Sequence, residues 1–335
     1  MRYLITGAQG FVGRYLVARL RQEAAADILG IGRSPRMDAS FTHSVTGPDG
    51  ATPAPLPPFP AAAEEGRYEY RQLDILDSAG LRECVRSFRP DLVFHLASGL
   101  RDDDAQTLCR TNIEGVVALL EAVAVSGIKL EKLVIGSSGA VYGTSERLPL
   151  DEESPARPVD LYGATKLAGE IAARAIAGSA RIPIVFARIF NIVGVGADER
   201  HAAARFASLL VAGEARGERF ILETGDLTPS RDFIDASDVA AALALLGRSG
   251  RAGAVYNIAS GLEVTISDLL GRLLRLSKAI AEIRSAPNRP ADIPRHFAAT
   301  GRMDALGFVP QVELDRSLGD MLTYYRALWF RESRG

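Results

Sequence analysis

The segment Thr6-Gly7-Ala8-Gln9-Gly10-Phe11-Val12-Gly13 constrains this chain more than any other. It follows a short apolar run, Arg2–Thr6, and opens a stretch of helical periodicity over Phe11–Glu23. A strand, a glycine loop and a helix in that order aim backbone N–H groups and the positive end of a helix at one point. That is where a pyrophosphate binds. Gly7 suits the tight turn, Gly10 the close approach of a ligand, and Gly13 the contact between helix and sheet. The spacing is GxxGxxG, not the GxGxxG of the common dinucleotide fingerprint. Glycines serving only a tight turn look the same in isolation, so the surrounding pattern has to decide.

That pattern is an alternation. Further strands are predicted over Ile28–Gly32, Tyr68–Leu73, Leu92–Leu96, Lys132–Ser137 and Ile182–Phe190. Helical patterns over Ser78–Phe88, Ala105–Ser126 and Leu161–Ala177 separate most of them. Right-handed crossovers between such units give an α/β, doubly wound parallel sheet covered on both faces. Past Phe190 the rhythm loosens. Helices are predicted over Ala202–Ala212, Ser237–Leu246, Ser267–Leu276 and Leu314–Trp329, the third opened by the capping sequence Thr265-Ile266-Ser267-Asp268. The expected division is a dinucleotide-binding domain over 1–187 with about 232–257, and a smaller mixed α/β domain from 188–231 and 258–335. Prolines at 35, 48, 53, 55, 57, 58 and 60 break the segment 34–66. It reads as an exposed, mobile insertion without regular elements, with His43 on its surface. The alternative is a flap over the adenosine end of a cofactor.

Composition removes several classes of function. Lys+Arg 39 against Asp+Glu 41 leaves a formal charge of -2, so no generic attraction to nucleic acid or an anionic membrane is expected. No stretch approaches the ~20 apolar residues of a membrane span, and no signal peptide is expected from the opening residues. The two cysteines, Cys84 and Cys109, suit a reducing compartment, so a cytoplasmic protein is expected. His43, His95, His201 and His296 show no clustered spacing with those cysteines, and no metal site is expected.

Two further patterns carry chemistry. Tyr162-Gly163-Ala164-Thr165-Lys166 places a phenol and an ammonium on one helix face. An ammonium near a phenol, whose ordinary pKa is about 10, favours the phenolate and makes it a usable acid/base. Ser137 and Ser138 end the preceding strand, at the carboxyl edge where ligands bind in such sheets. The second strand closes on Gly32-Arg33-Ser34 with no Asp or Glu at its end. An arginine there suits a 2′-phosphate, which favours NADP over NAD as cofactor.

Taken together, the glycine loop, the serine strand end and YxxxK resemble the extended short-chain dehydrogenase/reductase family acting on nucleotide sugars. The likeness runs from Met1 to about Tyr325. It implies a Rossmann domain with Ser138 as the catalytic hydroxyl, Tyr162 as acid/base and Lys166 as its partner. Asp74 and Ile75 resemble the adenine-side loop. Leu96, Ala97 and Ser98 resemble the fourth-strand cofactor contact, and Thr111–Gly115 the Asn-bearing helix start. Gly7, Gln9, Gly10, Phe11, Val12, Gly13, Arg33, Ser34 and Ser137 complete the implied cofactor site, with Tyr162 and Lys166. Arg188-Ile189-Phe190-Asn191 resembles the segment whose Asn meets the sugar nucleotide's pyrophosphate, and Ser230-Arg231-Asp232-Phe233 the segment whose Arg does the same. Arg289 and Asp292 resemble the late pair that holds the nucleotide.

Within the family the likeness is greatest to reductases of GDP-4-keto-6-deoxy-D-mannose. This implies NADPH-dependent reduction at C4. A nucleotide-sugar 4-epimerase with tightly held NAD is the alternative, and a silent dinucleotide-sensing regulator the reading from another class. A 4,6-dehydratase would carry Asp-Glu after the catalytic hydroxyl, where Gly139-Ala140 stands. The resemblance also implies a homodimer paired through the helices at 112–126 and 161–177.

Overall fold

The computed structural model describes residues 1–23, 25–59, 67–217, 219–285 and 293–330. Arg289 and Asp292 lie outside the described residues.

The first half builds β1 (Arg2–Thr6), α1 (Phe11–Leu20), β2 (Asp27–Gly32), β3 (Ser40–Gly47), β4 (Gly50–Pro55), β5 (Arg67–Gln72), α2 (Ser78–Phe88) and β6 (Leu92–His95). It continues with α3 (Ala105–Cys109), a π turn (Arg110–Glu114), α4 (Gly115–Ser126), β7 (Lys132–Ser138), α5 (Leu161–Ala180) and β8 (Ile184–Ile189). The second half adds β9 (Asn191–Val193), α6 (Ala202–Arg216), β10 (Phe220–Thr224), β11 (Ser230–Arg231), β12 (Phe233–Asp235), α7 (Ala236–Ser249) and β13 (Val255–Ile258). Then come β14 (Val264–Thr265), α8 (Ile266–Leu276), β15 (Ala281–Ser285), β16 (Arg295–His296), α9 (Gly301–Asp304) and α10 (Leu314–Trp329).

Seven parallel strands form the main sheet in the order β13-β8-β7-β6-β1-β2-β5. Strand order reverses between β1 and β6, and that switch opens a crevice at their carboxyl ends. Because both faces are covered, the strands are apolar throughout. Leu16 and Leu20 of α1 pack with Leu243 and Leu246 of α7 on one face. Leu81 of α2, Leu119 and Leu120 of α4 and Ala173 of α5 cover the other. A third core joins α6, α8 and α10. Among the described residues, no helix is long and apolar enough to cross a membrane.

The proline-bearing segment departs from expectation. It contains an antiparallel hairpin, β3 with β4, where an exposed and mobile insertion without regular elements is predicted. Pro53 and Pro55 are tolerated because each strand has a partner on one side only, so a missing N–H removes no second ladder bond. Pro48 falls in the turn. Phe41, Val45 and Ala54 are buried in the third core. His43 is half-buried, with Nε2 2.8 Å from the Gly196 carbonyl, and Thr46 donates to Glu199 from both its N–H and its hydroxyl. Burial and hydrogen bonding thus fasten the hairpin to the third core and to the loop ahead of α6.

The helix predicted over Ala105–Ser126 is also more particular than its periodicity shows. The π turn interrupts it around Asn112, so that residue lies inside the helical stretch and not at a helix start. Such turns often mark functional sites.

Candidate active site

The glycine loop forms a cradle at the sheet's switch point. Gly7 has φ +69°, and a side chain there would meet the backbone of Leu96 and Ala97 within 3.0 Å. A Cβ on Gly13 would lie 2.2 Å from the Gly7 carbonyl oxygen, so only glycine lets α1 pack this close. Gly10 meets only the Gly7 carbonyl, at 3.3 Å, and its outer face stays open. No side chain caps α1, whose first N–H groups are left for a ligand. An open glycine face beside an uncapped helix end fits the pyrophosphate of a dinucleotide.

The rim at the end of β2 is held by Gln9. Its side chain donates to the Pro35 carbonyl at 2.8 Å and accepts from the Met37 N–H at 2.6 Å. Arg33 is exposed, and the Ser34 carbonyl accepts from the Tyr70 hydroxyl at 2.7 Å. Asp27 sits at the opposite end of the strand, and Asp38 pairs with Arg36 at 2.7 Å. The Asp74 carboxylate accepts from the Leu76 N–H in its own turn, while Ile75 is buried against Gly115.

Helix α5 presents Tyr162 and Lys166, and Asp160 caps it by accepting from the Gly163 N–H at 2.7 Å. Lys166 Nζ lies 5.9 Å from the Tyr162 ring centre and donates to the Gly136 carbonyl at 3.0 Å. Burial pushes the lysine down to about 8, against the upward pull of Glu170. Burial raises the Tyr162 phenol, while the nearby Ser138 hydroxyl and the Arg101 charge pull it back. The phenol is therefore held protonated, and the expected bias towards phenolate does not prevail in the protein alone. Ser138 Oγ accepts from the Ala140 N–H at 3.1 Å. Of the predicted triad, all three members meet at the carboxyl ends of β6 and β7.

Behind them lies a buried polar layer. Glu170 accepts from Arg188 through both oxygens, at 2.7 and 3.0 Å, and from the Ser137 hydroxyl at 2.5 Å. The side chain of Ser137 thus belongs to this layer, below the cleft that Ser138 faces. Asn112 accepts from Ser98 Oγ and the Gly99 N–H, both at 3.0 Å, and donates to Thr165 Oγ1. It ties the end of β6 to the helix of Tyr162. On the far side, Asn191 donates to the Asp232 carbonyl at 3.1 Å. Arg231 is half-buried, and burial together with the Arg101 charge lowers its pKa. No carboxylate partner of Arg231 occurs among the described residues.

Glu170, Arg101 and His296 were not anticipated from sequence as parts of this site. The spacing of Lys166 and Glu170, four residues apart on one helix, is a signal for the first. Arg101 and His296 reach the cleft through loop and strand paths that periodicity does not reveal.

Residues 3–259 match the model of the NAD dependent epimerase/dehydratase family, to which this chain belongs. It is 31% identical to the GDP-6-deoxy-D-mannose reductase of Pseudomonas aeruginosa, over 96% of each chain. It is 28% identical to the UDP-glucose 4-epimerase of Mycolicibacterium smegmatis, over 97% of this chain and 99% of the relative. The solved structure of RMD from Pseudomonas aeruginosa complexed with NADPH matches with a TM-score of 0.78 at 28% identity, covering 97% of this chain and 99% of that one.

Proposed function

We propose that this protein uses NADPH to reduce the C4 ketone of a GDP-linked 4-keto-6-deoxy sugar. The observation that carries the reading is the turn after Ser138. Gly139 and Ala140 offer no acid for an elimination, while a protonated Tyr162 beside Ser138 is poised to give a proton. Likeness to a GDP-6-deoxy-D-mannose reductase and to a structure holding NADPH supports it.

The nicotinamide, when bound at the glycine cradle, supplies the hydride. Tyr162 donates its proton to the oxygen developing negative charge at C4, and Ser138 orients that oxygen. Lys166 keeps positive charge beneath the phenol and favours its ionised form once the proton has left. Asn191 and Arg231 receive the diphosphate, and Arg289 and Asp292 the nucleotide. Leu161 and Ile171 on α5 and Val125 on α4 are exposed, and two copies pair through these helices. Sedimentation as a monomer at micromolar concentration overturns that pairing.

The test is oxidation of NADPH on addition of GDP-4-keto-6-deoxymannose, with Tyr162→Phe as control. Turnover lost by about 10²–10⁴-fold in the variant supports the reading. The second reading, a 4-epimerase, draws on the likeness to a UDP-glucose 4-epimerase. Copurified stoichiometric NAD, with no consumption of NADPH, establishes it instead.

A further inference from the structure

His296 ends β16 in register with Arg231 of β11, and only 6% of its surface is exposed. Its ring packs against Phe190, with centres 4.9 Å apart and planes tilted by 31°. Its Nε2 lies 3.0 Å from the carbonyl oxygen of Gly139, the residue after Ser138. A carbonyl only accepts, so Nε2 carries the hydrogen. Burial lowers the imidazole to about 4, helped by the charges of Arg231 and Arg101, so the ring is neutral near pH 7. A neutral ring protonated at Nε2 leaves a bare lone pair on Nδ1.

The placement of that lone pair matters. A Cβ on Gly139 would lie 3.0 Å from His296 Cε1 and 3.1 Å from the Phe190 ring. The imidazole edge therefore occupies the space a side chain at 139 would need, in the turn that follows Ser138. Nδ1 has no hydrogen-bond partner among the described residues and is not one of the fully sealed polar atoms. His296 pairs in register with Arg231 of the neighbouring strand, and the charges of Arg231 and Arg101 act on the same ring.

We propose that His296 Nδ1 accepts a hydrogen bond from the sugar hydroxyl on the carbon next to the reacting ketone. His296 then determines specificity: it selects rings that carry a donor at that carbon. The inference rests on the nucleotide-sugar reading of this site. It adds a substrate contact at the turn after Ser138.

Two measurements test it. The first compares GDP-4-keto-6-deoxymannose with its 3-deoxy analogue. Wild type favours the hydroxylated substrate by about 30-fold or more in kcat/KM, since a site built to bond a hydroxyl rejects a ring lacking it. His296→Phe keeps the ring packing and removes the acceptor, so the two substrates fall within about threefold of each other, while His296→Gln restores part of the preference. A structural role alone lowers both substrates together and leaves their ratio unchanged, which overturns the inference.

The second is independent of turnover. Two-bond ¹H–¹⁵N spectra of the labelled protein, assigned with the Gln variant, show His296 protonated at Nε2, and GDP-mannose displaces its Nδ1 resonance. Protonation at Nδ1 in the free protein overturns the inference, as does GDP-mannose binding without displacement; both leave reduction standing. A protein that binds no nucleotide sugar overturns both readings.

Discussion

Replacing Glu170 by Gln separates what the buried layer does for stability from what it does for chemistry. Glu170 and Arg188 are only 2% and 7% exposed at their side chains and meet at 2.7 Å. Removing one member of such a pair leaves an unpaired buried charge and costs roughly 3–5 kcal/mol. With unfolding entropy of about 2.1 cal/mol/K per residue over 335 residues, Tm falls by about 4–7 °C. Activity responds separately. Glu170 is the influence that raises Lys166, which burial holds down to about 8. Without that carboxylate, and with the Arg188 guanidinium unopposed, the lysine loses its proton at lower pH. The basic limb of kcat/KM then moves acidward by about one unit, equivalent to about 1.4 kcal/mol. Differential scanning calorimetry and a pH–rate profile between 6 and 9 read the two effects. A variant with unchanged Tm, or with its basic limb in place, refutes the coupling argued here.

Arg33→Asp places a carboxylate at the end of β2, so the ratio of kcat/KM for NADPH over NADH falls by about tenfold or more. An unchanged ratio removes Arg33 from cofactor choice. The buried histidines make the fold acid-sensitive. Burial holds His95 at about 3 and His296 at about 4, below the ordinary 6.5. Between pH 6.5 and 4 the unfolded chain binds more protons than the folded one, so stability falls as pH falls through that window. At pH 5 each histidine costs about 2 kcal/mol relative to pH 7, read as a lower urea midpoint. If His95→Gln loses as much stability as wild type between pH 7 and 5, burial of His95 is not a cause.

The sheet and its phosphate cradle were legible because they rest on local rules. The glycine spacing fixes a turn, and strand–helix alternation fixes the layers. The hairpin inside 34–66 was misread because seven prolines outweighed a clear strand pattern, Phe41-Thr42-His43-Ser44-Val45, ahead of the turn Gly47-Pro48-Asp49-Gly50. Proline excludes a central strand, but it does not exclude a two-stranded ladder whose outer edges are free. The placement of Tyr162 and Lys166 on one helix face was legible from their spacing, and Ser138 came from the family resemblance. The electrostatic state of the phenol was not legible, because the sequence does not show that burial raises Tyr162 against the pull of the Ser138 hydroxyl and the Arg101 charge.

That last point bears on which direction of chemistry the site favours. A phenol already ionised would be set to take a proton from an alcohol, whereas a phenol kept neutral by burial is set to give one to an oxygen gaining charge. The turn after Ser138 points the same way. Gly139 has no side chain, and Phe190 and His296 fill the space beside it, so an acid introduced there would have to displace an aromatic pair. One neutral phenol and one filled pocket therefore narrow the options together: proton donation at the carbonyl oxygen remains available, and proton removal by a neighbouring carboxylate does not. The proposed reduction, as against elimination, thus turns on which atoms Phe190 and His296 pack against a single turn.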